Sequence, residues 1–472
     1  MAQKNSLLQK VKALFGEQDM TVGSPLTVLL KFSIPLLIGN FAQQMYATVD
    51  SIVVGRYVGD QALAAIGVSN PIINLLLVLF MAISTGVGIQ VAQFYGAKDR
   101  RTLASAVGGS LTMVLISSAI IMSLGIPLAG PLLKLIDTPV DIFDMSRDYL
   151  TIIFLGILGG GLYNIVSGIL RGMGDAVYPL IFLLVATIGN IFLDILFVSR
   201  FKMGVAGAAW ATIIAQFASA VLCVLRLFRM RDKMDLRLTD LRPQADLTKQ
   251  LARLGLPAGI TQAIFSLAMV FVQGLTNQMG VAVVATNVAI MRVDGFAMMP
   301  NFTFGLAVST FVGQNLGARK MKRVDEGFAT ALKLGLGVSI VLVAAILVFG
   351  SNLISMFTTT EQVIQLGARG LRILAPGYLA IMFTQCFSGA LRGAGDTMPS
   401  MWISLLTTVV VRVPLAYLIA AVTRSETWPV GSPDALFLSL TISWVLGMVL
   451  NYVVYKKRDW RSRSLVDELN KQ

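Results

Sequence analysis

The sequence predicts an all-α integral membrane protein of twelve transmembrane helices in two pseudo-symmetric six-helix halves. Three observations carry that reading. The 472-residue chain is 56% hydrophobic and 13% charged, with a mean hydropathy of +0.76, whereas a soluble domain carries about twice that charged fraction. Mostly apolar segments of about 20 residues or more recur along the whole length, each long enough to cross a hydrocarbon core as a helix. Finally, Leu170-Arg-Gly-Met-Gly-Asp175 returns as Leu391-Arg-Gly-Ala-Gly-Asp396, a shift of 221 residues, each copy in a gap between apolar segments. Internal repeats of this kind are typical of transporters, with a site between or inside the halves.

The repeat extends further. Lys31-Phe-Ser-Ile-Pro35 aligns with Arg253-Leu-Gly-Leu-Pro257 at a shift of 222, and Gln93-Phe-Tyr-Gly96 aligns with Gln314-Asn-Leu-Gly317 at 221. Anchors in one order at nearly one shift indicate two homologous halves. Helices are expected because backbone groups in lipid must bond within their own segment, and the short alternating segments of a barrel are absent.

In order along the chain, residues 1–24 read as a cytoplasmic arm, with Lys4, Lys10 and Lys12. No short apolar stretch with a small-residue cleavage site follows them, so they are not read as a cleaved signal peptide. Residues 25–228 form the first half, with spans at roughly 26–50, 62–88, 103–126, 145–169, 177–199 and 204–228. Residues 229–249 are a basic cytoplasmic linker. Residues 250–455 form the second half, with spans at roughly 251–277, 282–312, 325–350, 366–390, 397–421 and 434–455. Residues 456–472 are a cytoplasmic tail that opens Lys456-Lys457-Arg458.

The net charge of +13 would suggest nucleic acid in a soluble protein. Its distribution argues otherwise. With the N-terminus inside, about 26 of the 38 Lys and Arg fall in cytoplasmic segments, about 8 outside and about 4 in spans, as the positive-inside rule requires. No aromatic-basic surface module remains to bind nucleic acid. The lipid bilayer is the expected partner surface. The absence of histidine excludes histidine zinc sites, Ser-His-Asp chemistry and histidine proton relays. No cofactor or catalytic residue is expected. Cys223 and Cys386 fall in predicted spans and read as buried thiols.

Ionisable residues inside spans are the informative ones, since each costs on the order of 3 kcal/mol or more at mid-bilayer. Asp194 lies about 17 residues into span five, in its outer half at 1.5 Å per residue. Asn190 is one turn earlier, so the two share a helix face. Asp50 ends span one, and Thr212 lies about eight residues into span six, which runs back inward. The four come out at similar depth. Two carboxylates, an amide and a hydroxyl suit a hard cation, with Asp50 and Asp194 as the candidate Na⁺ ligands, and the same set can hold a proton. Two plainer readings stand beside this one: Asp50 as an interfacial residue, and the whole set as polar groups bonded only to one another.

The second half does not repeat the set: Val411 and Leu415 stand where Asn190 and Asp194 would recur. It carries Arg292, Asp294 and Arg412 instead. Arg292 and Asp294, two apart on a helix, face different sides. Asp294 and Arg412 come out at comparable depth and could pair, since a paired charge in lipid costs far less than a lone one. These three are candidate cavity residues. Pro35 and Pro257, near the inner ends of spans one and seven, are candidate gating kinks or helix-start punctuation. In the repeated cytoplasmic string the glycines allow a tight turn, and the Asp can cap the next helix.

With these pieces in view, the chain resembles the multidrug and toxic compound extrusion (MATE) family over nearly its whole length. The matching pieces are the Pro35 and Asp50 pattern, Gly96-Ala-Lys98, both Leu-Arg-Gly-x-Gly-Asp turns, Asn190 to Asp194, and Val312-Gly-Gln-Asn-Leu-Gly-Ala318. The first-half carboxylates most resemble the DinF-like prokaryotic branch. The resemblance implies two six-helix bundles, related by a pseudo-twofold axis, that form a V-shaped cleft. It implies export of organic cations and amphipathic drugs against Na⁺ or H⁺, by a monomer in a prokaryotic inner membrane with both termini cytoplasmic. By the same resemblance the cation or proton site is Asp50, Asn190, Asp194 and Thr212. Gln43, Tyr46 and Asn164 would join the substrate cavity, and Pro35 would bend. The acidic residues that some members carry in spans seven and ten have no counterpart at the middle of either span here. The nearest alternative is a lipid-linked oligosaccharide flippase, which would carry about two more spans and a more cationic cavity, as the family pattern implies.

Overall fold

The structure, a computed structural model, describes residues 16–469, with backbone alone at 45–53, 55, 56, 60, 63 and 238. Its elements in chain order are α1 (Pro25–Tyr57), α2 (Asp60–Gly96), α3 (Arg100–Leu135), α4 (Val140–Leu155), α5 (Ile157–Gly172), α6 (Val177–Asp194) and α7 (Gly204–Arg229). There follow α8 (Ala245–Gln278), α9 (Val281–Gly317), α10 (Met321–Ser355), α11 (Glu361–Gly393), α12 (Met398–Leu405), α13 (Arg412–Val422), α14 (Asp434–Lys457) and α15 (Leu465–Leu469). A π-helical turn, Ile195–Arg200, continues α6, and a second, Leu406–Val411, joins α12 to α13.

Among the described residues, eleven helices, counted with their π turns, are long and apolar enough to cross a membrane, and the pair α4–α5 supplies a twelfth span. That pair departs from the simple expectation for 145–169, because it is bent by 49° at the break between its helices. Gly156 makes the break: a β-carbon there would sit 2.2 Å from the Ile213 side chain of α7, so only glycine lets the two helices meet. The prolines are interior as well. Pro35 lies inside the continuous α1 and Pro257 inside the continuous α8, which removes the reading as helix-start punctuation and leaves each helix short of one backbone donor.

The chain divides into two compact units. Unit 1 takes the described residues up to Met20 with Leu30–Leu256; unit 2 takes Thr21–Leu29 with Pro257 onward. Within unit 1, Val54 of α1, Ala62 and Ile66 of α2, Tyr149 and Ile152 of α4, Val198 of the π turn and Val205 to Ile213 of α7 form one apolar cluster. Within unit 2, the corresponding cluster draws on α8 through α14 and contains the fully buried Leu371 and Leu374. In each unit the backbones of two helices touch at repeat-related positions. A β-carbon at Gly168 of α5 would lie 2.7 Å from the Ser84 carbonyl oxygen of α2, and one at Gly389 of α11 would lie 2.4 Å from the Gly305 carbonyl oxygen of α9. Small residues at such crossings allow the close packing on which helix association in lipid depends.

The repeated turns also carry matching anchors. In unit 1, buried Asp175 accepts from the Tyr178 amide at 3.2 Å, capping α6, and pairs with Arg226 at 2.9 Å. In unit 2, buried Asp396 pairs with Arg458 at 3.0 Å and with Arg463 of the tail at 3.4 Å. Trp460 between those arginines is fully buried and donates to the Tyr455 carbonyl. The basic linker packs on unit 1: Thr112 donates to the Leu241 carbonyl, and Ser105 Oγ to Asp240 Oδ1 at 3.2 Å. Of the N-terminal arm, residues 1–15 lie outside the described residues. Beyond them Glu17 accepts from Tyr95 and from Lys233.

Candidate functional site

Asp194 is the last residue of α6, and Asn190 stands one turn before it. Both are fully buried, and Thr212 of α7 is 9% exposed. The Asn190 amide is assigned the orientation that satisfies both of its neighbours. So oriented, its Nδ2 donates to Asp194 Oδ2 at 2.9 Å and its Oδ1 accepts from the Thr212 backbone amide at 3.3 Å. Asn190, Asp194 and the backbone of Thr212 therefore meet in unit 1; Thr212 makes this contact through its amide rather than through the hydroxyl expected in the set. The π turn begins directly after Asp194. Such turns add a residue to the helical circuit, re-aim the side chains around them, and occur often at functional sites.

The remaining first-half candidates are placed as follows. The side chains of Asp50 and Tyr46 lie outside the described residues. Val54, one turn after Asp50, belongs to the same core cluster as Val198, which lies roughly one turn after Asp194. Gln43 is exposed on α1, and Asn164 is half-buried on α5. Asn164 donates its amide to the Gly160 carbonyl of its own helix at 2.8 Å, and its backbone oxygen accepts from Ser84 Oγ at 2.7 Å. No bond joins it to the Asp194 set among the described residues.

In unit 2 the three charged candidates are not equivalent. Arg292 is exposed, and Asp294, two residues on, is half-buried, so the two do face different sides of α9. Asp294 Oδ1 accepts from the Tyr378 hydroxyl of α11. The half-buried Arg412 follows the second π turn, at the head of α13. Asp294 and Arg412 attract one another electrostatically. Among the described residues they do not come within the 4.0 Å of a direct ion pair, and the carboxylate's hydrogen bond goes to Tyr378.

Tyr378 is the residue that sequence reasoning missed. It is 2% exposed and lies beside Trp444, ring centroids 5.8 Å apart. Its carbonyl accepts from Asn301, whose own oxygen accepts from Ser339. The available signal was a tyrosine two residues after Pro376, deep in an apolar span, where a phenol needs a hydrogen-bond partner.

The MatE family profile matches residues 35–196 and again 257–418, two stretches displaced by the repeat shift. The chain is 30% identical to "Probable multidrug resistance protein YoeA" of Bacillus subtilis (strain 168), over 87% of this chain and 91% of that one. It is 27% identical to "Probable multidrug resistance protein NorM" of Thermotoga maritima, over 82% and 84%. Its fold is similar to the solved chain described as "Crystal structure of MATE in the straight conformation", with a TM-score of 0.85 at 23% identity over 98% and 99% of the two chains.

Proposed function

The chain belongs to the MatE family, and on that premise we propose that it is a secondary active multidrug efflux antiporter. It exports organic cations and other amphipathic drugs in exchange for Na⁺ or H⁺, by alternating access, as a monomer in a prokaryotic plasma membrane with both termini in the cytoplasm. The relatives' names as multidrug resistance proteins support the substrate class and disfavour lipid-linked oligosaccharide flipping.

The observation that carries the coupling is the fully buried Asp194 carboxyl with its Asn190 partner. A carboxylate at membrane depth costs several kcal/mol and is characteristic of ion or proton sites. The shared cluster of Val54 and Val198 supports Asp50 as the second acid of the set. An ion bound here favours whichever state binds it more tightly, and so disfavours retention of a cationic substrate in that state. Pro35 and Pro257 lie inside continuous helices and each removes one backbone donor, which supports a bend at either position.

Asn190 suits either ion: its amide nitrogen donates to the Asp194 carboxylate in the orientation described above, and turned over it offers its oxygen beside that carboxylate. Ethidium efflux from vesicles carrying the protein, with ΔpH and ΔNa⁺ imposed separately, tests the proposal. Efflux driven by one of the two gradients is expected, and efflux driven by neither gradient rules coupling out.

A further inference from the structure

Arg412 has one property that the cation-exchange reading leaves unused. It sits in the middle of an apolar span, Met398–Val422. Its Nε is buried and makes no hydrogen bond among the described residues. A guanidinium presents five donors in a planar fork that matches a carboxylate, and a buried donor left unmade is costly. The nearby acid does not relieve it: Asp294 Oδ1 is occupied by Tyr378, and no direct ion pair forms. Apolar and aromatic side chains adjoin both groups: Val413 follows Arg412 in the chain, Met298 is one turn from Asp294, and Trp444 lies beside Tyr378. Val413, Met298 and Trp444 are all partly buried side chains packed on the unit 2 core.

A purely cationic drug gains nothing from Arg412. A molecule that carries a carboxylate as well as a cationic centre gains at both ends. We propose that unit 2 holds a subsite for zwitterionic amphiphiles, in which Arg412 receives the carboxylate, Asp294 faces the cationic centre, and the Trp444 wall takes the apolar body. This rests on the drug-export reading and narrows its substrate class. Tyr378 is a positioning residue: it holds Asp294 Oδ1, and the carboxylate makes no direct ion pair with Arg412.

The test is equilibrium binding to the purified full-length protein in detergent micelles, read by fluorescence anisotropy. The probes are a matched pair of xanthene dyes, one a free carboxylic acid and the other its ethyl ester. Both carry the same cationic ring system, and the ester is the more apolar. The expected result is that the wild type binds the acid about tenfold more tightly than the ester, as a charge-assisted bidentate contact allows. Arg412→Gln abolishes that preference, and Arg412→Lys keeps part of it. Equal affinities, or tighter binding of the ester by the wild type, would overturn the proposal, and so would an acid preference that survives in Arg412→Gln. The wild-type comparison decides the matter even where a variant fails to fold. No ion gradient enters the measurement, so failure of the coupling proposal and failure of this one are read separately.

Discussion

Asn190 donates to Asp194 across a single helical turn at 2.9 Å, while its other end receives the backbone amide of Thr212 from the next helix at 3.3 Å. One amide thus touches both the buried acid of its own helix and the backbone of α7. Asn190→Ala removes its hydrogen bond to the buried carboxylate and its contact with the Thr212 amide. Loss of a hydrogen bond to a charged acceptor costs about 1.5–3 kcal/mol. The variant is expected to reach the membrane, to melt several degrees lower in detergent, and to lose at least tenfold of gradient-driven ethidium efflux. Wild-type efflux from Asn190→Ala would mean that the amide only fills space.

The glycine crossings predict a paired result. Gly389→Ala places a carbon 2.4 Å from the Gly305 carbonyl oxygen, and relief by backbone shift costs about 1–3 kcal/mol. Gly337→Ala, on α10, meets nothing within 4 Å and gains up to about 1 kcal/mol of helix propensity. Thermal unfolding in detergent should therefore lower the midpoint for the first and leave or raise it for the second. Equal midpoints would show that the α9–α11 approach is looser than the geometry described above.

Asp175 predicts a pH dependence opposite to that of an ordinary salt-bridged carboxylate. Burial holds its carboxyl above the usual value, although the Tyr178 amide and Arg226 pull the other way. A group whose folded value is raised binds its proton more tightly folded than unfolded. Its contribution to stability is present in full below the ordinary carboxylate value, near 4, and is lost as pH rises through the raised one. The midpoint of Asp175→Asn should therefore gain on that of the wild type as pH rises from about 4 to neutrality. A difference that is flat with pH, or falls, would place Asp175 in a wetter setting than its complete burial indicates.

Asp396 holds the tail by two arginines, Arg458 at 3.0 Å and Arg463 at 3.4 Å. Asp396→Ala releases both, and the segment around the buried Trp460 loses its electrostatic anchor. Limited trypsin digestion of a C-terminally tagged protein should remove the tag several-fold faster from the variant than from wild type. Equal rates would mean that the Trp460 packing and the Arg461–Asp325 contact alone hold the tail.

Much of this was legible in the chain itself. The 221-residue shift located both turns, and the cost of charge in lipid singled out Asp194, Asp294 and Arg412. What escaped the sequence depends on which helices touch. The break at Gly156 exists because Ile213 of another helix needs the space. The two π turns fall at different points of the repeat, one just after Asp194 and one just before Arg412, so neither could be inferred from the other half. The hydrogen-bond partner of Asp294 is Tyr378, a phenol 84 residues away in the chain, while Arg412 acts on the carboxylate from beyond hydrogen-bond distance. Helical periodicity gives the face and depth of a residue; the partner on that face is fixed only by tertiary packing.

The central claim is that Asp194 couples the ion to the drug. It is tested most directly by ethidium efflux from proteoliposomes containing Asp194→Asn under an imposed ion gradient, with insertion checked by gel filtration and thermal melting. The account predicts a folded, membrane-inserted protein whose gradient-driven efflux falls to the level of empty liposomes. Efflux at the wild-type rate from that variant would contradict it.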